Sequence, residues 1–231
     1  MAKSGNSKEQ QKTAYTTPRA DVFAMVPPAA MSILDVGCSN GALGQSLGRA
    51  CPGRKVFGVE IDPAFAVEAR RHLQDVVCAD LNELDWCAFM PGVQFDCIIF
   101  ADVLEHLIDP RRHLMEAQQR IRPGGCIVVS LPNIRHISSF FSIFIKGTFP
   151  LRERGIFDKT HMRWFTINDA KVLLASLGMT VAHTSYILRL GDQGGGMMNR
   201  LANRLPGSIQ GFFFIREFLT YQFCLRAVSG Q

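Results

Sequence analysis

Residues 33–41, with the sequence ILDVGCSNG, constrain the fold of this chain more than any other stretch. The first four are largely apolar, which is typical of a buried parallel strand, and they run into a loop of small residues before a helical pattern near Ala42. Gly37 and Gly41 let the backbone approach a bound molecule with no Cβ in between, and the helix start offers unpaired N–H groups. The sequence therefore predicts a ligand on this strand–loop–helix unit.

The glycine spacing narrows the class of ligand. It is G-x-x-x-G, whereas pyrophosphate binders carry G-x-G-x-x-G and P-loops carry Gly-Lys-Ser/Thr, so phosphate is disfavoured. Residues 34–41 resemble the first motif of the class I S-adenosylmethionine (SAM) dependent methyltransferases. This resemblance implies a doubly wound, Rossmann-like α/β fold with SAM as the cofactor.

Two acids follow the next predicted strands. Residues 55–60 predict a second strand that ends in Glu60, ~20 residues after the glycine loop, where an acid in nucleoside-binding folds accepts both ribose hydroxyls. The alternative is a solvated acid at a strand end. Residues 75–80 predict a third strand, and the resemblance implies that Asp80 accepts from the adenine amine with Leu81 beside the ring. Alternatively, Asp80 caps the next turn. Together with the loop, the predicted cofactor-binding residues are Asp35, Gly37, Cys38, Gly41, Glu60, Ile61, Asp80, Leu81 and Asp102.

A second motif follows the fourth predicted strand, residues 95–101. Residues 102–110 (DVLEHLIDP) resemble the D-V-L-E-H-L-x-D-P segment of many small-molecule and glycan methyltransferases. Ligands of parallel sheets bind beyond the carboxyl ends of the strands, so these polar groups are expected at the reaction site. No Asn/Asp-Pro-Pro-Tyr/Phe follows this strand, which disfavours methylation of a nucleobase amine.

The alternation of predicted strands and helices stops at residues 132–165, which we interpret as a lid or substrate-cap insertion after strand five. Residues 131–136 and 158–166 resemble a subgroup of class I methyltransferases associated with cell-surface polysaccharide synthesis. The apolar run 137–145 is too short to span a bilayer. We expect this run either to pack on its own domain or to contact a membrane surface or a lipid-linked substrate, with Lys146 at its rim.

A hydroxyl acceptor needs a general base, and histidine titrates near neutrality. His106, His136 and His161 are the candidates on the expected edge. His161 is favoured because Asp158, three residues earlier, is expected to orient its ring, so the predicted catalytic residues are His161, His106 and Asp158. In the alternatives, His106 only packs beneath the cofactor and His136 caps the lid. No metal is predicted, because the spacing supplies no third ligand beside Asp102 and Asp158.

The whole chain of 231 residues suits residues 1–14 as a flexible tail and residues 15–231 as a single domain. Its fold is predicted as a seven-stranded, mostly parallel sheet with an antiparallel last strand and helices on both faces. Seven cysteines without a C-x-x-C pair indicate a reducing cytoplasm, and the polar start resembles no signal peptide. The net charge of +5 permits an anionic partner without indicating one.

The sequence thus predicts a SAM-dependent methyltransferase acting on a hydroxyl of a small-molecule or glycan-linked acceptor, cytoplasmic or peripheral to the membrane. Nucleic acid is disfavoured as a partner. Two alternatives stay open: a SAM-binding regulatory or scaffold protein without catalysis, and an RNA or protein methyltransferase.

Overall fold

A computed structural model describes residues 19–190, residue 199 and residues 212–229 of the chain. Its seven strands, in chain order, are β1 (Ser32–Val36), β2 (Lys55–Glu60), β3 (Asp75–Cys78), β4 (Phe95–Ala101), β5 (Ile121–Pro132), β6 (Met179–Leu188) and β7 (Thr220–Ser229). They form one sheet in the order β3-β2-β1-β4-β5-β7-β6.

The sheet has the predicted mixed pattern. Strands β3, β2, β1, β4 and β5 pair in parallel, while β7 lies between β5 and β6 and is antiparallel to both. Strand order reverses at β1 and β4, because the chain runs outward through β2 and β3 and then returns to β4. Ligands of such sheets bind outside the carboxyl ends of the strands at this switch point. The prediction of a doubly wound sheet with an antiparallel last strand is confirmed.

Each face of the sheet has its own apolar core. Side chains alternate along a strand, so Leu34 and Val36 enter one buried cluster while Ile33 enters the other. Helices cover both faces: α1 (Ala20–Phe23), α2 (Ala42–Ala50), α3 (Pro63–Ala69), α4 (Pro110–Gln118), α5 (Ile137–Phe140), α6 (Ile167–Ala175) and α7 (Phe213–Leu219). A π-helical turn (Phe141–Ile145) continues α5, and short 3₁₀ turns span Leu81–Glu83 and Leu104–His106.

Helix starts follow the cap chemistry of the sequence. The Asp62 carboxylate accepts from the N–H groups of Ala64 and Phe65, with Pro63 in the first turn of α3. Asp109 caps α4 in the same way, accepting from the Arg112 N–H. Since α3 and α4 each begin shortly after a strand, these caps fix where the chain leaves the ligand-binding edge of the sheet.

The two ends of the predicted lid lie side by side. Asn133 and Phe165 form a bridge, and the Asn133 amide donates to the carbonyls of Glu217 and Thr220 at 3.0 and 2.9 Å. Ile156 and Phe157 bury themselves against Tyr221 in a small third core. The segment therefore packs onto the sheet and carries Asp158 and His161 back toward the end of β4.

The described part of the chain has a helix before β1 and another before β7. The first, α1, is a single turn, and the second, α7, lies within the apolar residues 212–219. The tail predicted over residues 1–14 lies outside the described residues. Among the helices that the structure describes, none is long and apolar enough to cross a membrane.

Candidate functional site

The glycine loop turns sharply at the end of β1. Gly37, Ser39 and Gly41 all have positive φ, at +70°, +49° and +80°, and the N–H groups of Gly37 and Cys38 both donate to the Val59 carbonyl. A Cβ on Gly37 would lie 2.7 Å from Cγ2 of Val103, so no side chain fits there without movement. The loop is therefore pressed between the ends of β2 and β4.

Gly41 lies at a close approach of two helices. A Cβ on it would lie 3.1 Å from Cα of Ala69 in α3, and Gly41 is outside the lining of the cavity described below. It allows α2, which starts directly after it, to pack closely against α3, and its contact with the cofactor stays a prediction. A glycine in such a spacing indicates that something lies close to the backbone, but it does not identify the neighbour.

Glu60 joins the loop to the next helix. It is 8% exposed, and its two carboxylate oxygens accept from the N–H of Ser39 at 2.7 Å and of Asp62 at 2.9 Å. Each oxygen keeps a further lone pair, so the carboxylate is held in place while it can still accept from a ligand hydroxyl.

Two buried groups under the loop have shifted pKa values. Burial, followed by the neighbouring Glu60 carboxylate, raises the pKa of Asp35 to about 7. Burial also raises the pKa of the Cys38 thiol, with Asp35 and Glu60 adding to the shift. Cys38 is therefore a neutral thiol that forms part of the wall, rather than a nucleophile.

The acid after β3 makes the capping contact that was the alternative for it. Oδ1 of Asp80 accepts from the backbone N–H and the side-chain amide of Asn82, at 2.9 and 3.2 Å, at the start of the 3₁₀ turn. Its carboxylate nevertheless lines the cavity, as do Leu81 and the exposed Ile61. Capping and an adenine contact are compatible, and the adenine contact stays a prediction.

Asp102 follows β4 in a left-handed conformation, with φ +56°. It pairs with Arg19 from α1's N-cap and accepts from the Gln222 amide of β7, while Arg19 also donates to Ser130 at 2.8 Å. Sequence reasoning missed Arg19 and Gln222, since they lie far from Asp102 along the chain and belong to no motif. Left-handed backbone at a non-glycine residue is typical of functional sites.

These elements enclose a cavity of about 580 Å³, within the range of small-molecule sites. Most of the predicted cofactor residues line it: Asp35, Gly37, Cys38, Glu60, Ile61, Asp80, Leu81 and Asp102. Of the predicted catalytic residues, His106 lines it, while His161 and Asp158 do not. Thr160 and Met162 of the insertion complete the wall beside His106.

His161 stands behind His106. The two rings meet edge-on with centroids 4.8 Å apart, and Nε2 of His161 lies 4.0 Å from the carboxylate of Glu105. Burial, then the neighbouring His106, lowers the pKa of His161, and burial, then Asp102, raises that of Glu105. Glu105 was missed as a site residue, although it stands inside the quoted motif, because nothing in the sequence shows that it points at His161.

The expected orientation of His161 by Asp158 is wrong. The Asp158 carboxylate accepts from the N–H and hydroxyl of Thr160, at 2.9 and 2.6 Å, while Nδ1 of His161 lies 3.2 Å from the Ile156 carbonyl. A carboxylate bonds the nearest donors in its own turn first, and here these belong to Thr160. Asp158 shapes the turn that carries His161, and the role of His161 as a base stays a prediction.

His136 has a structural position. It is fully buried and caps α5, with Nδ1 beside the Ser138 hydroxyl at 2.8 Å and Nε2 beside the Arg189 carbonyl at 2.8 Å. Both ring nitrogens are engaged, so His136 has none to offer an acceptor. The alternative in which it caps the lid fits this geometry.

The sheet order, the glycine loop after β1 and the acid after β2 define a class I methyltransferase fold. Residues 34–127 match the family model described as "Methyltransferase domain". The chain therefore has the fold of SAM-dependent methyltransferases, and its residues 34–127 are similar to a methyltransferase domain.

Curated relatives and solved structures agree with this class. The chain is 27% identical to a trans-aconitate 2-methyltransferase of Methylobacterium nodulans over 185 residues, which cover 78% of this chain and 70% of that protein. It is 28% identical to a ubiquinone biosynthesis O-methyltransferase of Cereibacter sphaeroides, covering 57% of this chain and 53% of the relative. The fold resembles that of a magnesium protoporphyrin IX methyltransferase from Synechocystis PCC 6803 with bound SAH, with a TM-score of 0.58, 17% identity and coverage of 96% and 84% of the two chains.

The residues of the cavity fit the cofactor. The nucleoside part of SAM presents hydroxyl and amine donors, and Glu60 and Asp80 offer carboxylate acceptors after neighbouring strands of the same cavity. Gly37 keeps the loop free of a side chain where it meets the cavity. SAM itself supplies an activated methyl group, so the protein has to position the cofactor and the acceptor.

Proposed function

We propose that the protein transfers the methyl group of SAM to a hydroxyl oxygen of a small-molecule or glycan-linked acceptor. The observation that carries this proposal is one cavity that holds carboxylate acceptors at one side and an imidazole, His106, at another. Glu60 is the last residue of β2 and His106 follows β4, with β1 between these strands. Two strand spacings separate them by about 10 Å, which leaves room for a nucleoside and an acceptor side by side.

In the proposed reaction, the acceptor oxygen forms a bond to the methyl carbon while the carbon–sulfur bond breaks, and S-adenosylhomocysteine leaves with the electron pair on sulfur. The hydroxyl proton must leave as well. We expect it to leave at the side of the cavity that His106 lines. Alignment of the two reactants supplies much of the rate enhancement in such a displacement.

The relatives support a small acceptor. One of them is named for trans-aconitate and another for an O-methylation in ubiquinone biosynthesis. Matches to the ubiquinone relatives cover about half of those proteins or less, so their acceptors are candidates to test on this chain. The glycan part of the proposal rests on the resemblance of residues 131–136 and 158–166.

The test is formation of S-adenosylhomocysteine with phenols, hydroxy acids, sugar nucleotides and lipid-linked glycans as acceptors. We expect turnover with one of these classes, a large loss in His106→Ala, and little change in the matched control His183→Ala, whose side chain is exposed on β6. SAM binding measured by calorimetry without any turnover would favour the scaffold alternative. Binding to RNA that weakens steeply with salt would favour an RNA methyltransferase.

We propose in addition that the lid contacts a membrane surface or the lipid part of the acceptor. Phe144 and Ile145 are 72% and 63% exposed, Phe140 stacks on Phe144, and the exposed Lys146 follows directly. Apolar side chains rimmed by a cation suit an anionic lipid surface. Co-sedimentation with phosphatidylglycerol vesicles should fall in Phe144→Ser and persist in Val172→Ser, which alters an exposed apolar side chain of α6. Equal sedimentation of both variants would contradict this.

A further inference from the structure

Glu105, His106 and His161 form a cluster at the end of the cavity. Each side chain offers one nitrogen or oxygen atom, and these three atoms all lie within 4.8 Å of one another. Two of the residues follow β4 and the third comes from the insertion, so folding brings them together from separate parts of the chain. Nothing in the proposed methyl transfer so far requires a carboxylate behind the imidazoles.

Hydrogen bonds to backbone carbonyls set the tautomers of both histidines. Nδ1 of His106 lies 3.2 Å from the carbonyl of Thr160 and from its hydroxyl, which donates its own proton to Asp158. Nδ1 of His161 lies 3.2 Å from the Ile156 carbonyl. Carbonyl oxygens only accept, so each Nδ1 is assigned the proton and each Nε2 is left with its lone pair. A carbonyl that orients the imidazole from behind is the usual environment of metal-binding histidines. His136, with both nitrogens engaged, is the contrasting case.

One oxygen of the buried Glu105 carboxylate lacks a donor. It is 1% exposed, and its Oε2 is buried without a hydrogen-bond partner among the described residues. Glu60, buried to a similar degree, has a backbone N–H on each oxygen. Since an ionised carboxylate is costly to bury unless it is paired or bound to a metal, the environment of Glu105 is incomplete as it stands.

We propose that Glu105, His106 and His161 bind a divalent first-row transition ion, such as Mn²⁺, Co²⁺ or Zn²⁺, beside the acceptor end of the cavity. Two imidazoles and a carboxylate bind these ions better than Mg²⁺ or Ca²⁺, which prefer oxygen ligands. Bonds of about 2.1 Å place two ligands of one ion no more than ~4.2 Å apart. The most distant pair of ligand atoms therefore has to approach by roughly 0.6 Å or more on binding. The sequence alone does not indicate this set, because His161 lies far from the other two residues along the chain.

This inference rests on the proposed function where it concerns catalysis. His106 lines the cavity, so an ion held there keeps an open position for the acceptor hydroxyl. Such an ion would lower the pKa of the acceptor hydroxyl, whose proton would pass to solvent water. The acceptor oxygen would then bond to the methyl carbon as the carbon–sulfur bond breaks, with S-adenosylhomocysteine as the leaving group.

The experiment titrates the whole chain, stripped with a chelator, with Co²⁺ and follows its d–d absorbance and the heat of binding. It is done in a Cys78→Ser, Cys87→Ser background, because these two thiols are exposed and bind Co²⁺ themselves. We expect one Co²⁺ per chain, an affinity at least 10-fold weaker in Glu105→Gln and in His161→Gln, and no change in His183→Gln. SAM affinity, unchanged in Glu105→Gln, reports that this variant is folded.

Equal Co²⁺ affinity in the background protein and in Glu105→Gln would overturn the metal site, as would no binding at all. The outcome is independent of methyl transfer. A stripped protein that binds no Co²⁺ and still forms S-adenosylhomocysteine at its full rate refutes the metal and keeps the methyltransferase. Co²⁺ bound through Glu105 and His161 in a protein that methylates no acceptor keeps the metal site and refutes the proposed function.

Discussion

Replacing Gly37 by alanine tests whether the loop after β1 is as tightly enclosed as its geometry indicates. Gly37 has φ +70°, a conformation that L side chains rarely adopt, and an added Cβ would lie 2.7 Å from Cγ2 of Val103. Gly178 is a matched control, because it has φ +72° and its Cβ would meet nothing within 4 Å. The two substitutions share the backbone strain, and only Gly37→Ala adds a collision.

The magnitudes follow from these two contributions. Left-handed backbone costs a residue with a Cβ about 1–2 kcal/mol, and forcing an extra methyl group into a packed site costs about 1–3 kcal/mol. We therefore expect Gly37→Ala to lower the free energy of unfolding by about 2–5 kcal/mol and Gly178→Ala by about 1–2 kcal/mol. Gly37→Ala should also weaken SAM binding, since a shifted loop moves the wall of the cavity.

Urea unfolding of both variants measures the difference, with equal slopes showing that the unfolding transition itself is unchanged. A second substitution, Val103→Ala, removes the colliding methyl and should restore part of the stability lost in Gly37→Ala. Val103→Ala alone supplies the reference for that double variant. If Gly37→Ala is no more destabilised than Gly178→Ala, the collision is absent and the argument for an enclosed loop is wrong.

Three further predictions concern named side chains. Glu60→Gln places an amide NH₂ against a backbone N–H, so we expect the free energy of unfolding to fall by ~1–3 kcal/mol. SAM affinity, measured by calorimetry, should also fall, and an unchanged affinity would remove Glu60 from the cofactor site. Asp35 has a pKa of about 7 when folded against 3.8 as its ordinary value. The folded state favours the protonated carboxyl, so the free energy of unfolding is highest below pH ~4. It falls by up to ~4 kcal/mol as the pH rises through ~7. Asp35→Asn should flatten this fall in urea unfolding measured across that range, and an unaltered slope would contradict the shift. Thr166→Ala removes the capping box with Asp169 and should lower Tm through a loss of ~1 kcal/mol, with Ser176→Ala, at the other end of α6, as the comparison.

Local sequence patterns predicted most of the parallel sheet. Buried strands carry continuous apolar runs, and Asp62-Pro63 and Asp109-Pro110 mark helix starts because a carboxylate cap and a first-turn proline act within a few residues. The acid after β2 was placed by the same kind of local rule.

The sequence by itself determined the class of fold and the strands whose ends face the ligand, and it predicted SAM as the cofactor, because these depend on short-range periodicity and on a strand and loop of nine residues. Only the tertiary structure decided which side chains meet at the acceptor end. It placed Glu105 beside His161, turned Asp158 toward Thr160 and removed His136 from the candidates. These contacts depend on how the insertion packs back onto the end of β4, and the direction of a side chain across such a contact is set by neighbours remote along the chain.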